Sequence, residues 1–160
     1  MPKTRKKYRP REVRPAAGLA LLGRAAAAQS TKQLNTQQLR DLALGYSGAL
    51  QALVHGTGTG SDLATLAVAS NVALLLCEYG LGDIETAKAA QDACMHIGAR
   101  ALKVGRYGLA GIELRQLQGL IELHDAQLAS PDCTEGILVA VLMEVKRRAE
   151  AGHVLEMVPA

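Results

Sequence analysis

The stretch that most constrains this chain is LATLAVASNVALLLC, from Leu63 to Cys77, which carries no charge between Asp62 and Glu78. It is apolar nearly all round a helix, so in water other elements must cover its whole circumference. Its fifteen residues fall short of the roughly 20 that a membrane-spanning helix needs. We therefore expect a buried core helix with other helices packed around it, and no membrane partner.

Helical signals continue through almost every segment after residue 15, and no run alternates like a half-buried strand. Short loops between helices favour antiparallel neighbours. The predicted fold is all-α, a compact antiparallel bundle of about five to six helices. The predicted helices are 16–30, one capped by Thr36 that ends before HGTGTG, 62–79 capped by Ser61, one capped by Asp83 that runs to about Val104, one from about Leu109 to Ala129, and one capped by Ser130 with Pro131 at its first position that ends before Gly152.

Small residues must shape the helix contacts, because the chain has sixteen glycines and neither Phe nor Trp. A glycine inside a helix costs about 1 kcal/mol relative to alanine. That cost predicts close backbone approach between helices, either within one chain or between two, and favours a homo-oligomer. The glycines inside predicted helices are Gly45, Gly48, Gly98, Gly111 and Gly119.

The N-terminal arm, MPKTRKKYRPREVRP, concentrates the positive charge. Seven cations stand against Glu12, a net charge of +6 over residues 1–15, whereas residues 16–160 carry a net charge of −3. We expect such an arm to be disordered when free and to contact phosphates without regard to base sequence. The predicted nucleic-acid-binding residues are Lys3, Arg5, Lys6, Lys7, Arg9, Arg11 and Arg14.

Other interpretations of this N-terminus stay open, namely a solvated tail with no specific role and a targeting signal. AAGLALLG followed by AAAAQS imitates a secretory signal, but Arg24 interrupts the apolar stretch. The Arg-rich, acid-poor start also permits an organellar transit peptide. Three widely spaced cysteines, Cys77, Cys94 and Cys133, favour a reducing compartment. We expect a cytoplasmic protein.

The chain therefore divides into a basic flexible arm at 1–15, a helical bundle domain at 16–152 and an apolar C-terminal tail at 153–160. The tail, HVLEMVPA, is unusually apolar for a free end, and we expect it to dock on the body or on a neighbouring subunit. Just before it, Lys146, Arg147 and Arg148 are expected to complement the dipole of the last helix. A second nucleic-acid patch is the alternative for these three residues.

A glycine-rich loop, HGTGTGSD at residues 55–62, precedes the apolar helix. Three glycines before a helix can offer backbone amides to a phosphate. The loop lacks the lysine that follows the glycines of a phosphate-binding P-loop. It also lacks the preceding strand that P-loops and dinucleotide-binding sites both have. A linker between helices is the favoured interpretation.

The segment TQQLRDLALGYSGALQAL superficially resembles a helix-turn-helix, but Arg40 and Asp41 are the wrong residues before that turn, so a continuous helix is predicted.

The fifth predicted helix places Glu113 and His124 inside a broad apolar arc. Eleven residues, about 16 Å, separate them along the helix, so they cannot pair with each other there. Glu113 is expected to meet a partner across a helix pair or a subunit interface, because an unpaired buried carboxylate is costly. His124 is either a hydrogen-bonded core or interface residue, which is the commoner case, or a catalytic or metal-binding group.

Catalytic signatures are missing from the sequence. Cys94 and His96 face about 160° apart on one helix, and no CxxC motif accompanies them, so we predict no metal site. There is no nucleophile with a recognisable base. We predict no catalytic residue, no cofactor and no enzymatic activity.

KTRKKYRPREV at the N-terminus, GTGTGSDLATLAVASNVALLLCEYGLG in the middle and ELHDAQL at 122–128 together resemble small helical proteins encoded in phages and prophages of proteobacteria. The resemblance covers most of the chain and carries no catalytic motif. It implies a regulator, a DNA-associated accessory protein or an inhibitor of host machinery, rather than a metabolic enzyme.

The sequence thus predicts a non-enzymatic helical binding or regulatory protein of a mobile element. Its basic arm would give non-specific affinity for nucleic acid, and its helical body would bind itself or a protein partner. One alternative is an inhibitor that contacts a host protein of a defence or transcription complex. The other is a small helical enzyme using His124 and Glu113, which requires both side chains to line one pocket.

Overall fold

The computed structural model describes residues 32–152. Within them the chain is all-helical, as predicted, with no strand beyond one isolated antiparallel bridge between Gln33 and Thr134. The helix predicted at 16–30, the basic arm and the C-terminal tail lie outside the described residues. The five helices are α1 (Thr36–Val54), α2 (Gly60–Glu78), α3 (Ile84–Val104), α4 (Gly111–Ala129) and α5 (Glu135–Glu150).

Loops of five or six residues join the helices, so the first four turn back on one another in chain order. α1 also contacts α4, which closes a four-helix bundle. α2 contacts all four other helices, and α5 packs against α2 on the outside of the bundle. The segment TQQLRDLALGYSGALQAL is one continuous helix, α1, which confirms the prediction made for it.

α2 is the core helix that its composition predicts. Ten of its nineteen residues are buried, and Leu63, Leu66 and Leu76 are fully covered. By length and composition alone, with a mean hydropathy of 1.5, α2 would also suffice to cross a membrane, and 56% of that apolar window is buried inside the bundle. This burial is what the core helix of a bundle shows.

A second apolar cluster attaches α5 to the bundle. Val72 and Leu76 of α2 pack with Leu138 and Val141 of α5, and Cys133 of the preceding loop joins them. All of these side chains are less than a tenth exposed. Burial of two such aliphatic side chains from α5 contributes several kcal/mol to holding this helix in place.

The predicted helix caps are right at Asp83 and wrong at the first two described helices. α1 is capped by Asn35 rather than Thr36, and α2 by Thr59 rather than Ser61. In both helices the side chain three residues after the observed cap returns a hydrogen bond to the backbone N–H of the cap. This reciprocal capping box satisfies two unpaired amides at once, so it outcompetes a nearby hydroxyl residue that has no such partner.

The predicted start of the last helix is also wrong. α5 begins at Glu135 with Thr134 as its cap, not after Ser130 with Pro131 at the first helical position. The Ser130 hydroxyl instead accepts a hydrogen bond from the amide two residues later, at 3.2 Å, within a turn. A long-range contact competes with earlier helix formation, because Gln33 pairs with Thr134 and donates to the Pro131 carbonyl.

Four of the five glycines inside helices do not mark close approach between the described helices. A Cβ atom built on Gly45, Gly48 or Gly111 would meet no described atom within 4 Å, and on Gly119 it would make one ordinary contact at 3.6 Å. Gly98 is buried in α3. At these four positions no other described element approaches closely, so the prediction is wrong for contacts between the described helices. Close approach by the rest of the chain or by a second chain remains a prediction.

Candidate functional site

A groove runs along the outside of the bundle between α1 and α5. Both helices pack against α2 but, among the described helices, do not contact each other, so a strip of α2 stays open between them. The volume of this opening is about 230 Å³. We call it the α1–α5 groove, and its walls include Leu42 and Gly45 of α1, Val68 and Val72 of α2, and Leu138 and Leu142 of α5.

The walls of the groove are apolar and open to solvent. Leu42, Val68 and Leu142 are 41%, 50% and 46% exposed, although such side chains are most often buried. Asp41 is the one carboxylate among the lining residues. Adjacent apolar side chains left open on three helices form the kind of patch that marks a contact surface.

Tyr46 and His124 also line the groove, beneath its apolar walls. Both are buried, and their ring centroids lie 5.3 Å apart with a 56° tilt between the planes. The Tyr46 hydroxyl donates a hydrogen bond to the Asp125 carboxylate. Burial, together with this carboxylate, raises the pKa of Tyr46 well above its ordinary value, so the phenol stays protonated.

Gln127 selects one tautomer of the neutral His124 ring. The Gln127 amide nitrogen donates to the carbonyls of Ala73 at 3.0 Å and Leu81 at 2.6 Å, which leaves its oxygen facing the histidine. That oxygen lies 3.3 Å from His124 Nδ1 and can only accept, so Nδ1 carries the proton of the neutral ring. Burial lowers the pKa of His124, against the smaller opposing effects of Gln127 and Asp125.

Glu113 has its partner on the facing helix. Arg100 of α3 donates to both carboxylate oxygens, at 2.9 and 2.5 Å, and the Ala110 amide donates to one of them at 2.7 Å. The same guanidinium donates to the Gly108 carbonyl at 2.6 Å, which ties the loop before α4 to α3. Burial opposes ionisation of Glu113, but Arg100 and the amide outweigh it and hold the pKa of the carboxyl below its ordinary value.

Glu113 and His124 are therefore placed in two different environments. They lie eleven residues apart on α4, about 16 Å along its axis, and they have separate partners. His124 lines the α1–α5 groove and Glu113 does not. This arrangement does not provide the shared pocket that an enzyme using both residues would need.

The glycine-rich loop occupies residues 55–59, and α2 follows it directly. The Asp62 carboxylate accepts from both the amide and the hydroxyl of Thr59, at 2.8 and 2.7 Å. These hydrogen bonds lower the pKa of Asp62, so a negative charge stands at the helix start. That charge would repel a phosphate, and the geometry favours the linker interpretation.

Two of the three cations at the end of α5, Arg147 and Arg148, are engaged by the protein's own carboxylates. Arg147 and Arg148 both donate to Glu144, each at 2.7 Å, and Arg148 also reaches Glu78 of α2 at 2.7 Å. The buried Glu144 thus anchors two guanidinium groups, which lower its pKa. These contacts fit the expected role at the helix end and weaken the case for a second nucleic-acid patch.

The remaining predictions concern the arm cations, the cysteines and a metal site. The arm cations, Lys3 to Arg14, lie outside the described residues. The three cysteines are free thiols, and burial raises the pKa of Cys94 to about 12. In the described part of the chain no group of three or more His, Cys, Asp and Glu side chains is placed to hold a metal ion.

Sequence reasoning missed Gln127, Arg100 and the groove. The signal for Arg100 was indirect, since a carboxylate in an apolar arc requires a cation nearby. Gln127 lies one turn after His124, a spacing that brings two side chains together on a helix.

In comparisons with known proteins, no family model, no curated protein and no solved structure matches this chain.

Proposed function

We propose that this protein is a non-enzymatic binding protein that associates with nucleic acid through its basic arm and with itself or a protein partner through its helical body. The observation that carries the proposal is the separation of charge along the chain. Residues 1–15 have a net charge of +6, whereas residues 32–152 hold ten basic and thirteen acidic side chains. Attraction to a polyanion must therefore come from the arm.

The pairing of charges on the body supports this division of roles. Arg100 is held by Glu113, Arg148 by Glu78 and Glu144, and Lys88 by Glu85. Cations paired in this way are partly neutralised and are less available to displace counterions from a nucleic acid. The resemblance to phage-encoded proteins agrees with a role of this kind.

A protein contact by the body is supported by the apolar side chains that it leaves open. Met95 and Leu102 of α3, outside the groove, are 46% and 84% exposed. They are seven residues apart and so lie on one face of the helix, where exposed large apolar side chains suit a protein contact. Sedimentation of the full-length protein over a range of concentrations tests self-association, which replacement of both residues by serine should weaken.

The nucleic-acid role is tested on the full-length chain with the seven arm cations replaced by glutamine. Binding to unrelated DNA and RNA is measured at several salt concentrations. We expect the affinity of the wild-type protein to fall steeply with salt. The slope of log affinity against log salt should be reduced by about 0.9 for each duplex DNA phosphate contact that the substitutions remove.

A matched control replaces exposed cations of the body, with Lys88→Gln, Lys103→Gln and Lys146→Gln combined in one variant. This change should leave both the affinity and the salt dependence nearly as in the wild-type protein. If the arm variant binds as tightly as the wild-type protein, the nucleic-acid role is wrong.

A further inference from the structure

The chain enters the described fold at the edge of the α1–α5 groove. The Lys32 carbonyl accepts a hydrogen bond from the Glu135 amide at 2.8 Å, and the Lys32 ammonium lies 3.2 Å from the Glu135 carboxylate. The bridge between Gln33 and Thr134 fixes the next residue. Lys32, the first described residue, is therefore held beside the first turn of α5, and Leu138 of the groove wall lies one turn further along that helix.

The groove suits a helix with small side chains. Gly45 stands on the α1 wall with no described atom within 4 Å of the position of a Cβ. A helix laid along this wall can bring its backbone close to α1 there, which a larger residue at position 45 would prevent. The exposed parts of Leu42, Val68 and Leu142 would be covered by such a helix.

Residues 16–30, AAGLALLGRAAAAQS, have the matching composition. All but four of these residues are Ala or Leu or the single charge Arg24, and the four others are Gly18, Gly23, Gln29 and Ser30. Fifteen helical residues extend about 22 Å, whereas the α2 strip from Thr65 to Val72 is about 10 Å long. The segment is therefore long enough to cover the strip.

The charges match as well. Arg24 is the only charged residue of the segment, and Asp41 is the only carboxylate lining the groove. We propose that residues 16–30 form a helix that seats in the α1–α5 groove of the same chain, with its small side chains against Gly45 and Arg24 near Asp41. The seated helix holds the root of the basic arm at the groove. This proposal is independent of the nucleic-acid role, because it does not involve residues 1–15.

The C-terminal tail is a less suitable occupant. Gly152, the last described residue before the tail, follows the end of α5 that is opposite to the groove residue Leu138. Fourteen residues separate these two positions, whereas Lys32 is hydrogen-bonded directly to the first residue of α5. The described residue nearest to the segment 16–30 is thus held at the groove by a fixed contact.

The test is amide hydrogen exchange on the full-length protein, read on peptides from residues 16–30. We expect these amides to exchange at least about tenfold more slowly than in an unstructured chain. Gly45→Leu should abolish this protection by filling the groove. Gly48→Leu is the matched control, because Gly48 is also exposed on α1 without a described neighbour within 4 Å but does not line the groove. It should leave the protection intact.

A charge exchange tests the register. Arg24→Glu should reduce protection of residues 16–30, and adding Asp41→Arg should restore it. Absence of protection in the wild-type protein, or equal loss with Gly45→Leu and Gly48→Leu, would overturn the proposal. So would protection that appears only at concentrations where the protein sediments as a dimer, because a second copy would then fill the groove. Protection of residues 153–160 instead of 16–30 would assign the groove to the tail and likewise overturn it.

Discussion

Gln127 lies one turn after His124 on α4, and its side-chain oxygen accepts from the Nδ1 of that histidine across 3.3 Å. The same amide group donates to the carbonyls of Ala73 and Leu81, so one side chain joins α4, α2 and the loop after α2. Gln127 is only 3% exposed. It is a buried polar junction beneath the α1–α5 groove.

Gln127→Leu should therefore destabilise the fold strongly. The leucine leaves the Leu81 carbonyl and the His124 N–H without their partner, while the Ala73 carbonyl keeps its hydrogen bond within α2. Unpaired buried groups of this kind cost about 1–3 kcal/mol each before relaxation. We expect a loss of about 2–4 kcal/mol in the free energy of unfolding, measured with urea. Gln118→Leu, at an exposed position of the same helix, should change it by less than about 0.5 kcal/mol. Equal effects of the two substitutions would contradict the assigned role.

The buried His124 predicts a loss of stability in mild acid. Burial lowers its pKa in the folded protein, against smaller opposing contributions from Gln127 and Asp125. The unfolded chain, with a pKa of about 6.5 for this group, then binds more protons than the folded chain. The contribution of His124 to the free energy of unfolding is thus fully present above about pH 6.5. It is lost as the pH drops from there toward the lower pKa of the folded protein.

Unfolding by urea at pH values from 5 to 8 measures this dependence. His124→Gln should flatten the curve between pH 5 and 7, even if it lowers the stability at every pH. His96→Gln, at an exposed position of α3, should keep the slope of the wild-type protein. A slope that survives in the His124 variant would assign the acid sensitivity to other groups.

The helices were predictable because the signals for them are local. The glycine clusters after α2 and α3 are local turn signals. The apolar stripe of α1 is a local helical periodicity. The cap positions were less predictable where hydroxyl residues crowd together. By residue type Ser61 is the better cap, but Thr59 is the one that receives a hydrogen bond back from Asp62.

The start of α5 and the candidate site depend on contacts that are distant in sequence. Gln33 meets Thr134 across about a hundred residues, and no local pattern announces that bridge. The groove exists because α1 and α5 share α2 as a neighbour without touching, which is a property of packing. The burial of Glu113 was predictable from its place in an apolar arc, whereas its pairing with Arg100 required the geometry of two facing helices.

Removing Arg100 alone should destabilise the fold more than removing the charges of both Arg100 and Glu113. Arg100→Met leaves the carboxylate of Glu113 buried with only the Ala110 amide as partner. Removing one member of a fully buried pair costs about 3–5 kcal/mol. Because Arg100 is 38% exposed and solvent screens its charge, we expect a smaller loss of about 2–3 kcal/mol.

Adding Glu113→Gln to Arg100→Met should recover part of this loss, since the uncompensated charge is then removed. Lys88→Met breaks the exposed pair with Glu85 and provides the control, with an expected change of less than about 1 kcal/mol. Chemical denaturation at neutral pH measures all three variants. A double variant that is less stable than Arg100→Met alone would rule out charge burial as the cause.

Two glycines of the same region should respond in opposite directions to alanine. A Cβ on Gly58 would lie 2.3 Å from Leu53 Cδ2 and 3.0 Å from Leu53 Cα, and Leu53 is buried at the foot of α1. Gly58→Ala must therefore displace a packed leucine and its backbone, with an expected loss of about 1–3 kcal/mol.

Gly48 is exposed inside α1, where a Cβ meets no described atom within 4 Å. Gly48→Ala should stabilise the protein by about 0.5–1 kcal/mol through helix propensity, as measured by thermal and urea unfolding. A stabilising Gly58→Ala would show that the loop after α1 adapts freely, and a destabilising Gly48→Ala would show that another chain or segment already approaches α1 at this glycine.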